Sequence, residues 1–366
     1  MKIKVLNIGE YVQGGVATYL YSVLSLQAKF DMYAIMSESK SERIWPIEAS
    51  HIAYYPYIRG LAGMPSAIWA VKRKIAEIRP DVIYCHSTWA GVIGRVAALF
   101  SPSCRVVYNA HGWAFLQDVA AWKCKIYAFV ERMLAKRTDC IINVSEFEYN
   151  NAVRYGLPRD KMVVIYNGSR DSASINPCPI QMDENKINLL FVGRFDPQKG
   201  VDFLLKAYER LERADIHLYL IGDNVVSKGE SVSMVDSEKK SFLGWIPHGE
   251  MSGYYDACDA VIMPSRWEAF GLVCIEAMKY GKPVIASDRG ALPELVHPGE
   301  NGWIFHFDEM GEDLLACLRN LTKDEIKTRS DAARRCFLEH FTEHQMLERT
   351  EAVLRDAVES RRTLKT

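Results

Sequence analysis

Short apolar runs of four to seven residues recur along the chain, each closed by a glycine, asparagine or polar turn. Between them lie stretches in which apolar residues return every three or four positions. The first pattern marks strands buried on both faces and the second marks amphipathic helices. Lys2–Ile8, Met32–Met36, Asp81–His86, Arg105–Asn109, Cys140–Ser145 and Met162–Tyr166 read as strands in the first half. Val16–Leu26, Ile68–Ile78, Gly91–Phe100 and Glu146–Tyr155 read as the intervening helices. The alternation restarts at Ile187-Asn-Leu-Leu-Phe-Val192. It continues through His217–Gly222, a short helix over His248–Cys258, Ala260–Met263, a helix over Leu272–Tyr280, Val284–Ala286 and Asn301–Phe305. Strands alternating with helices predict parallel sheets in an α/β fold.

With 366 residues the chain exceeds one ordinary core, so two domains are expected. Residues 169–186 are polar, contain Pro177 and Pro179 and show no period, which marks a linker. The expected division is 1–168, the linker 169–186, a second domain at 187–340, and a C-terminal segment 341–366. Within that last segment Gln345–Arg362 forms a helix with apolar Met346, Leu347, Val353, Leu354 and Val358.

The net charge is −1, but residues 1–168 carry +7 and the remainder −8. A basic first half suits an anionic partner, a membrane surface or a phosphate-bearing acceptor. Nine cysteines without a Cys-x-x-Cys pair argue for reduced thiols rather than disulfides or zinc. The N-terminus lacks the shape of a signal peptide, and Arg95 interrupts the longest apolar run before it approaches the roughly 18 residues of a membrane span. These features suggest a cytoplasmic protein, with the inner face of the cytoplasmic membrane as a candidate location.

Chemistry concentrates after predicted strands. Pro264 to Pro283 forms a strand–loop–helix–strand unit whose loop, Ser265–Gly271, falls at the carboxyl edge of the sheet. Glu268 lies in that loop and Glu276 about one turn inside the helix, whose start offers free N–H groups to an anion. By spacing alone an ordinary βαβ unit with two solvated glutamates reads equally well. Earlier, Gly193-Arg194 follows a strand and Lys199-Gly200 opens a helix, an arrangement able to hold a diphosphate. The loop Gly14-Gly15 permits close backbone approach to a ligand, although a plain turn fits as well. It matches neither a dinucleotide fingerprint nor a P-loop. His111-Gly112 follows the strand Arg105–Asn109, while His86 reads as a structural histidine. The aromatic and basic segment Trp113–Arg137 reads as an amphipathic packing helix, with an interfacial helix on an anionic bilayer as the alternative. No Asp-x-Asp occurs, so no metal site is indicated.

Taken in order, Gly14-Gly15, His111-Gly112, Asn167-Gly168, Gly193-Arg194, Lys199-Gly200 and Glu268-x7-Glu276 resemble the signature of retaining glycosyltransferases of family 4. The resemblance spans nearly the whole chain. It departs at Ser169-Arg170-Asp171, where an aliphatic residue and an Asp usually follow, and at Gly222-Asp-Asn, which replaces Gly-x-Gly. It implies the GT-B arrangement: two Rossmann-like domains facing across a cleft, with the C-terminal helix packing back on the first. By the same resemblance His111, Glu268, Arg194 and Lys199 are the catalytic residues. Donor-binding residues are Gly15, Arg194, Lys199, Trp245, Ile246, Glu268, Ala269, Phe270, Gly271, Leu272 and Glu276. Trp245 and Ile246 belong to the segment that reads the nucleotide base, Glu276 takes the ribose hydroxyls, and Ser287–Val296 lies near the donor sugar. The implied reaction is transfer from a nucleotide-sugar, most often a UDP-sugar, to a lipid-linked glycan in building capsule, O-antigen or lipopolysaccharide. No cofactor is implied, the nucleotide-sugar being a substrate, and no nucleic acid partner. Two other readings remain: a glycoside hydrolase using Glu268 and Glu276, and a non-catalytic sugar-nucleotide-binding protein.

Overall fold

The computed structural model describes residues 2–171, 175–224, 232 and 234–363, with side chains as far as 359. Parts of the linker segment, residues 225–231 and 233, and the last residues therefore lie outside the described residues. The chain forms two compact units: Met1–Asn167 with Glu343–Thr366, and Gly168–Thr342.

The first unit runs β1 (Lys4–Ile8), α1 (Gly15–Leu24), β2 (Asp31–Ser37), β3 (Ile52–Tyr55), α2 (Met64–Ile78), β4 (Val82–His86) and α3 (Thr88–Ala97). It continues with β5 (Arg105–Asn109), α4 (Ala121–Ala135), β6 (Cys140–Asn143), α5 (Glu146–Arg154) and β7 (Met162–Val164). The second contains β8 (Ile187–Val192), α6 (Val201–Glu209), β9 (Ile216–Ile221), β10 (Lys240–Gly244), α7 (Ser252–Ala257), β11 (Ala260–Met263) and α8 (Leu272–Lys279). After these come β12 (Val284–Ser287), α9 (Leu292–Leu295), β13 (Gly302–Phe305), α10 (Glu312–Asn320) and α11 (Lys323–His340), before α12 (Glu343–Thr363) rejoins the first unit.

Both sheets are parallel and doubly wound, in the orders β3-β2-β1-β4-β5-β6-β7 and β10-β9-β8-β11-β12-β13. Burial on both faces explains the continuous apolar runs: every residue of β4 is buried. Successive residues serve opposite layers. Ile83 and Cys85 join the cluster under α2, α3 and α4, whereas Val82 and Tyr84 join the one under α1 and α12. α12 adheres through Met346, Thr350 and Leu354, all buried, and Ser22 Oγ donates to Glu343 Oε1 at 2.5 Å. In the second unit Thr322 caps α11, accepting from Glu325 N, and carries the Thr-x-x-Glu pattern of a capping box.

Two expectations need correction. The described residues of the linker belong with the second unit: Ser169 pairs with Thr342, and Asn176 N donates to Ser252 Oγ at 2.9 Å. Its polarity reflects surface backbone held by specific hydrogen bonds, not a free tether. The segment Trp113–Arg137 is not one packing helix. Trp113 and Phe115 are buried before it starts, and α4 turns Trp122, Ile126, Phe129 and Met133 outward while Tyr127 packs against the core.

Candidate functional site

In each sheet the connections leave in opposite directions on either side of a central strand pair, β1/β4 and β8/β11, opening a crevice beyond the carboxyl ends. In the second unit that place is built by two loops, 193–200 after β8 and 264–271 after β11. Arg266 N donates to Gln198 O at 2.8 Å and Gln198 Nε2 donates to Trp267 O at 3.2 Å. The Arg266 guanidinium donates to Pro197 O at 2.8 Å and takes both oxygens of Asp202 at 2.7 Å. Gly200, at φ 69°, caps the start of α6, and a Cβ there would stand 2.0 Å from Pro264 O. Only glycine lets the loops meet.

The expected residues converge here to a large degree. Lys199 Nζ forms an ion pair with Glu268 Oε1, which also accepts from Ser265 Oγ at 3.1 Å. Glu268 is 6% exposed and its carbonyl accepts from Ala291 N at 3.0 Å. Arg194, half exposed, donates to Gln198 Oε1 at 2.9 Å and pairs with Asp196 Oδ2 at 3.0 Å. Gln198 thus orients Arg194 while holding the second loop. Each cation has a carboxylate partner, so the loops are charge-balanced, and an anion arriving at α8 must compete with Glu268 for Lys199.

Gly271, at φ 108°, caps α8, with Phe270 buried before it and Leu272 beginning the helix. Glu276 lies farther along α8, where its Oε2 accepts from Tyr255 Oη at 2.8 Å. Burial raises the Tyr255 hydroxyl well above its ordinary pKa and keeps it a donor. The other oxygen lies 3.7 Å from Nδ1 of exposed His248, which follows the segment carrying Trp245 and Ile246. Trp245 is exposed and Ile246 half-buried, beyond the end of β10 at the same carboxyl edge. Ala269 is half-buried in the loop after Glu268.

The first unit uses uncharged groups. His86 Nε2 meets Asn7 Oδ1 at 3.1 Å, and His86 Nδ1 meets His111 Nε2 at 3.2 Å. The tautomers follow from one end. Asn7 Nδ2 donates to Tyr33 O at 3.1 Å, so Asn7 Oδ1 accepts and His86 Nε2 carries the proton. Neutral His86 then offers a lone pair at Nδ1, to which His111 Nε2–H donates, leaving Nδ1 of His111 as an acceptor. Burial holds His86 well below its usual pKa and His111 down at about 3, so both stay neutral. The Tyr19 ring stands edge-on to His111 at 4.6 Å, and the Tyr19 and Tyr84 hydroxyls meet at 2.6 Å. His111 sits at φ 52°, where Asn109 Oδ1 accepts from its N–H at 2.9 Å. Gly15 opens α1, and a Cβ on Gly14 before it would meet nothing within 4 Å. Among the described residues no His, Cys, Asp and Glu cluster could hold a metal, and no helix is long and apolar enough to cross a membrane.

Sequence reasoning passed over Asn7, Tyr19, Gln198, Tyr255 and Ser265, and read His86 as structural. A signal existed for His86: it ends its strand in register with Asn109, two residues before His111.

The family model "Glycosyl transferase 4-like domain" matches residues 37–168 and "Glycosyl transferases group 1" matches 177–336. An uncharacterized 41.2 kDa protein in the cps region of Klebsiella pneumoniae is 35% identical over 317 residues, covering 84% of this chain and 87% of that one. An uncharacterized glycosyltransferase of Methanocaldococcus jannaschii is 28% identical, covering 82% and 83%. Among solved structures, sucrose-phosphate synthase of Thermosynechococcus elongatus superposes with TM-score 0.80 at 20% identity, over 98% of this chain and all of the other. HepE of Anabaena, solved with UDP, gives 0.76 at 20% identity over 97% and 100%. At these identities the structural likenesses show the fold.

Proposed function

The chain belongs to the glycosyltransferases of family 4 type, with the GT-B fold, and from that premise we propose a retaining enzyme that moves a sugar from a UDP-sugar to a lipid-linked glycan in cell-surface polysaccharide synthesis. One observation carries the donor assignment. The Lys199–Glu268 pair, with Arg194 tethered by Gln198, stands in two interlocked loops at the start of α8. That is the placement a nucleoside diphosphate needs.

Glycosyl transfer must neutralise a departing diphosphate and the positive charge growing on the sugar carbon. In our reading Arg194, Lys199 and the amides at the start of α8 take the first task. These cations supply the charge, so the scheme calls for no metal. Glu276 accepts from the ribose hydroxyls while Tyr255 fixes its other oxygen. Glu268, released from Lys199 as the diphosphate arrives, contacts the donor sugar. His111 supplies a neutral hydrogen-bonding group toward the sugar or the forming oxocarbenium, and the leaving phosphate assists deprotonation of the acceptor hydroxyl on the same face. HepE, solved with UDP and with UDP-glucose, supports UDP as the nucleotide, and the Klebsiella relative's cps region supports a surface polysaccharide, capsule foremost. Such a substrate implies work at the inner face of the cytoplasmic membrane. Family membership sets aside a glycoside hydrolase.

A thermal-shift panel of UDP-, GDP-, ADP- and TDP-sugars tests the donor, because a ligand that binds only the folded state raises the melting temperature. Radiolabelled transfer then tests the residues. Arg194→Ala and Glu276→Ala should be nearly inactive, and wild-type transfer by both variants would overturn the assignment.

A further inference from the structure

Tyr19 of α1 has no task in the reaction proposed above, yet it is built against the two imidazoles. The side chain is buried, and its ring lies 4.6 Å from that of His111 with the planes at 70°. Its hydroxyl has two hydroxyl partners. One is Tyr84 Oη, 2.6 Å away, whose own ring stands 4.2 Å from His86. The other is Thr350 of α12, which belongs to the same unit although it comes last in the chain.

Helix α12 turns Met346, Thr350, Leu354 and Ala357 inward, at spacings of four, four and three along one face. Three of the four are apolar, and the fully buried Thr350 is the exception. A buried hydroxyl is costly unless bonded. Thr350 Oγ1 does donate to Met346 O at 2.8 Å, which meets its own need. A valine of the same shape would pack there without having that need. What the hydroxyl adds is a bond to Tyr19.

His111 requires outside support. Its φ of 52° lies in the left-handed region, and Asn109 Oδ1 holds its N–H. In the ring, Nε2 is held by His86. An imidazole restrained at its backbone and one nitrogen still pivots about the line joining them. The Tyr19 ring, set across it, opposes that pivot.

We infer that Tyr19 is a positioning residue for His111 and that Thr350 holds Tyr19 in place, so that α12 governs how the His111 ring is aimed. The purpose of this arrangement rests on the proposed role of His111 toward the donor sugar. Its geometry is tested without donor or acceptor.

Nuclear magnetic resonance of the full chain, with its histidine nitrogens isotopically labelled, reads the ring directly. A fixed neutral tautomer gives two widely separated imidazole nitrogen resonances. Wild-type His111 should show one tautomer, protonated at Nε2. Tyr19→Leu should draw the two resonances toward an average while leaving exposed His297 of the second unit unchanged. Tyr19→Phe drops the hydroxyl, and Thr350→Val removes one of its two partners. Thr350→Val should therefore give the smaller displacement and add nothing to Tyr19→Phe in the double variant. Thr350→Ser keeps a hydroxyl and should restore the wild-type spectrum. In radiolabelled transfer Tyr19→Leu should lower kcat about tenfold and Tyr19→Phe about threefold, with the donor KM and the donor-induced thermal shift unchanged.

Unaltered His111 resonances in Tyr19→Leu, even in a less stable protein, would mean that Tyr19 only packs and would overturn the inference. Should that variant fail to fold, unaltered resonances in Tyr19→Phe would do the same. A wild-type spectrum from Thr350→Val would overturn the part given to α12. Displaced resonances in a protein that transfers no sugar would sink the proposed reaction and leave Tyr19 as the support of His111.

Discussion

The two units share a strand order and place their chemistry at the same topological point, yet they equip it oppositely. At the β8/β11 edge the loop cations are each paired with a carboxylate: Lys199 with Glu268, Arg194 with Asp196, Arg266 with Asp202. At the β1/β4 edge Asn7, His86 and His111 form a hydrogen-bonded chain of neutral groups, and the hydrogen-bonded Tyr19–Tyr84 pair packs its rings against it. A balanced set of ion pairs can exchange partners when an anion arrives. A neutral chain of fixed tautomers cannot trade charges, but it can hold a donor and an acceptor in one orientation. The same scaffold therefore gives one unit a charge-exchanging edge and the other a direction-setting edge.

The largest predicted effect comes from breaking an exchange pair. Lys199→Met should lower transfer by about two orders of magnitude or more through loss of leaving-group stabilisation. It should also cost about 3 kcal/mol of stability, because it leaves Glu268 buried without its counter-charge. Adding Glu268→Gln should restore stability without restoring transfer, and urea unfolding beside radiolabelled transfer separates the two. Recovery of both would mean that Lys199 is only a structural partner. The next test contrasts glycines. Gly200→Ala drives a Cβ against Pro264 O, and should cost about 3 kcal/mol or more and abolish the donor-induced thermal shift. Gly14→Ala meets open space, so only its φ of 57° is penalised, about 1–3 kcal/mol, and the thermal shift should survive.

The contrast between the edges also governs what could be read from sequence. The strands and the Arg194, Lys199, Glu268 and Glu276 positions were legible because doubly buried strands are continuous apolar runs and charged loops stand out at their ends. β3 and β10 were missed because Ile52, Ala53 and Tyr54, like all of β10, are half-buried at the edges of their sheets and carry neither period. The neutral chain was nearly invisible: Asn7 and His86 look like ordinary strand residues until the register brings β1, β4 and β5 side by side. The orientation of α4 was left open between a packing helix and an interfacial one, since periodicity reports a stripe but not which way it faces. Its direction is decided by Arg95, thirty-six residues before Glu131.

A smaller effect is expected from interrupting the neutral chain. His86→Leu removes the acceptor of His111 Nε2–H, so the His111 ring loses its tautomer and aim. The expected result is a fall of about tenfold in kcat with little change in KM for the donor, and partial rescue by His86→Gln. Equal losses in both variants, or a change confined to KM, would mark His86 as packing only.

The smallest effect is a pH dependence peculiar to the first unit. His111 is half-buried by area, but Tyr19 and His86 crowd its ring, and folding depresses its pKa from the ordinary value near 6.5 to about 3. Below pH ~6.5 the unfolded chain takes up a proton that the folded chain refuses. The stabilising contribution is therefore complete above that value and shrinks progressively as pH falls toward 3. His86, also depressed by burial, acts in the same direction. His111→Gln removes one of these titrations while keeping a polar side chain. Urea unfolding at pH 7 and pH 5 should show wild type losing more stability than the variant over that interval. Identical losses would mean that His111 is already solvated, and the neutral chain would lose its terminal member.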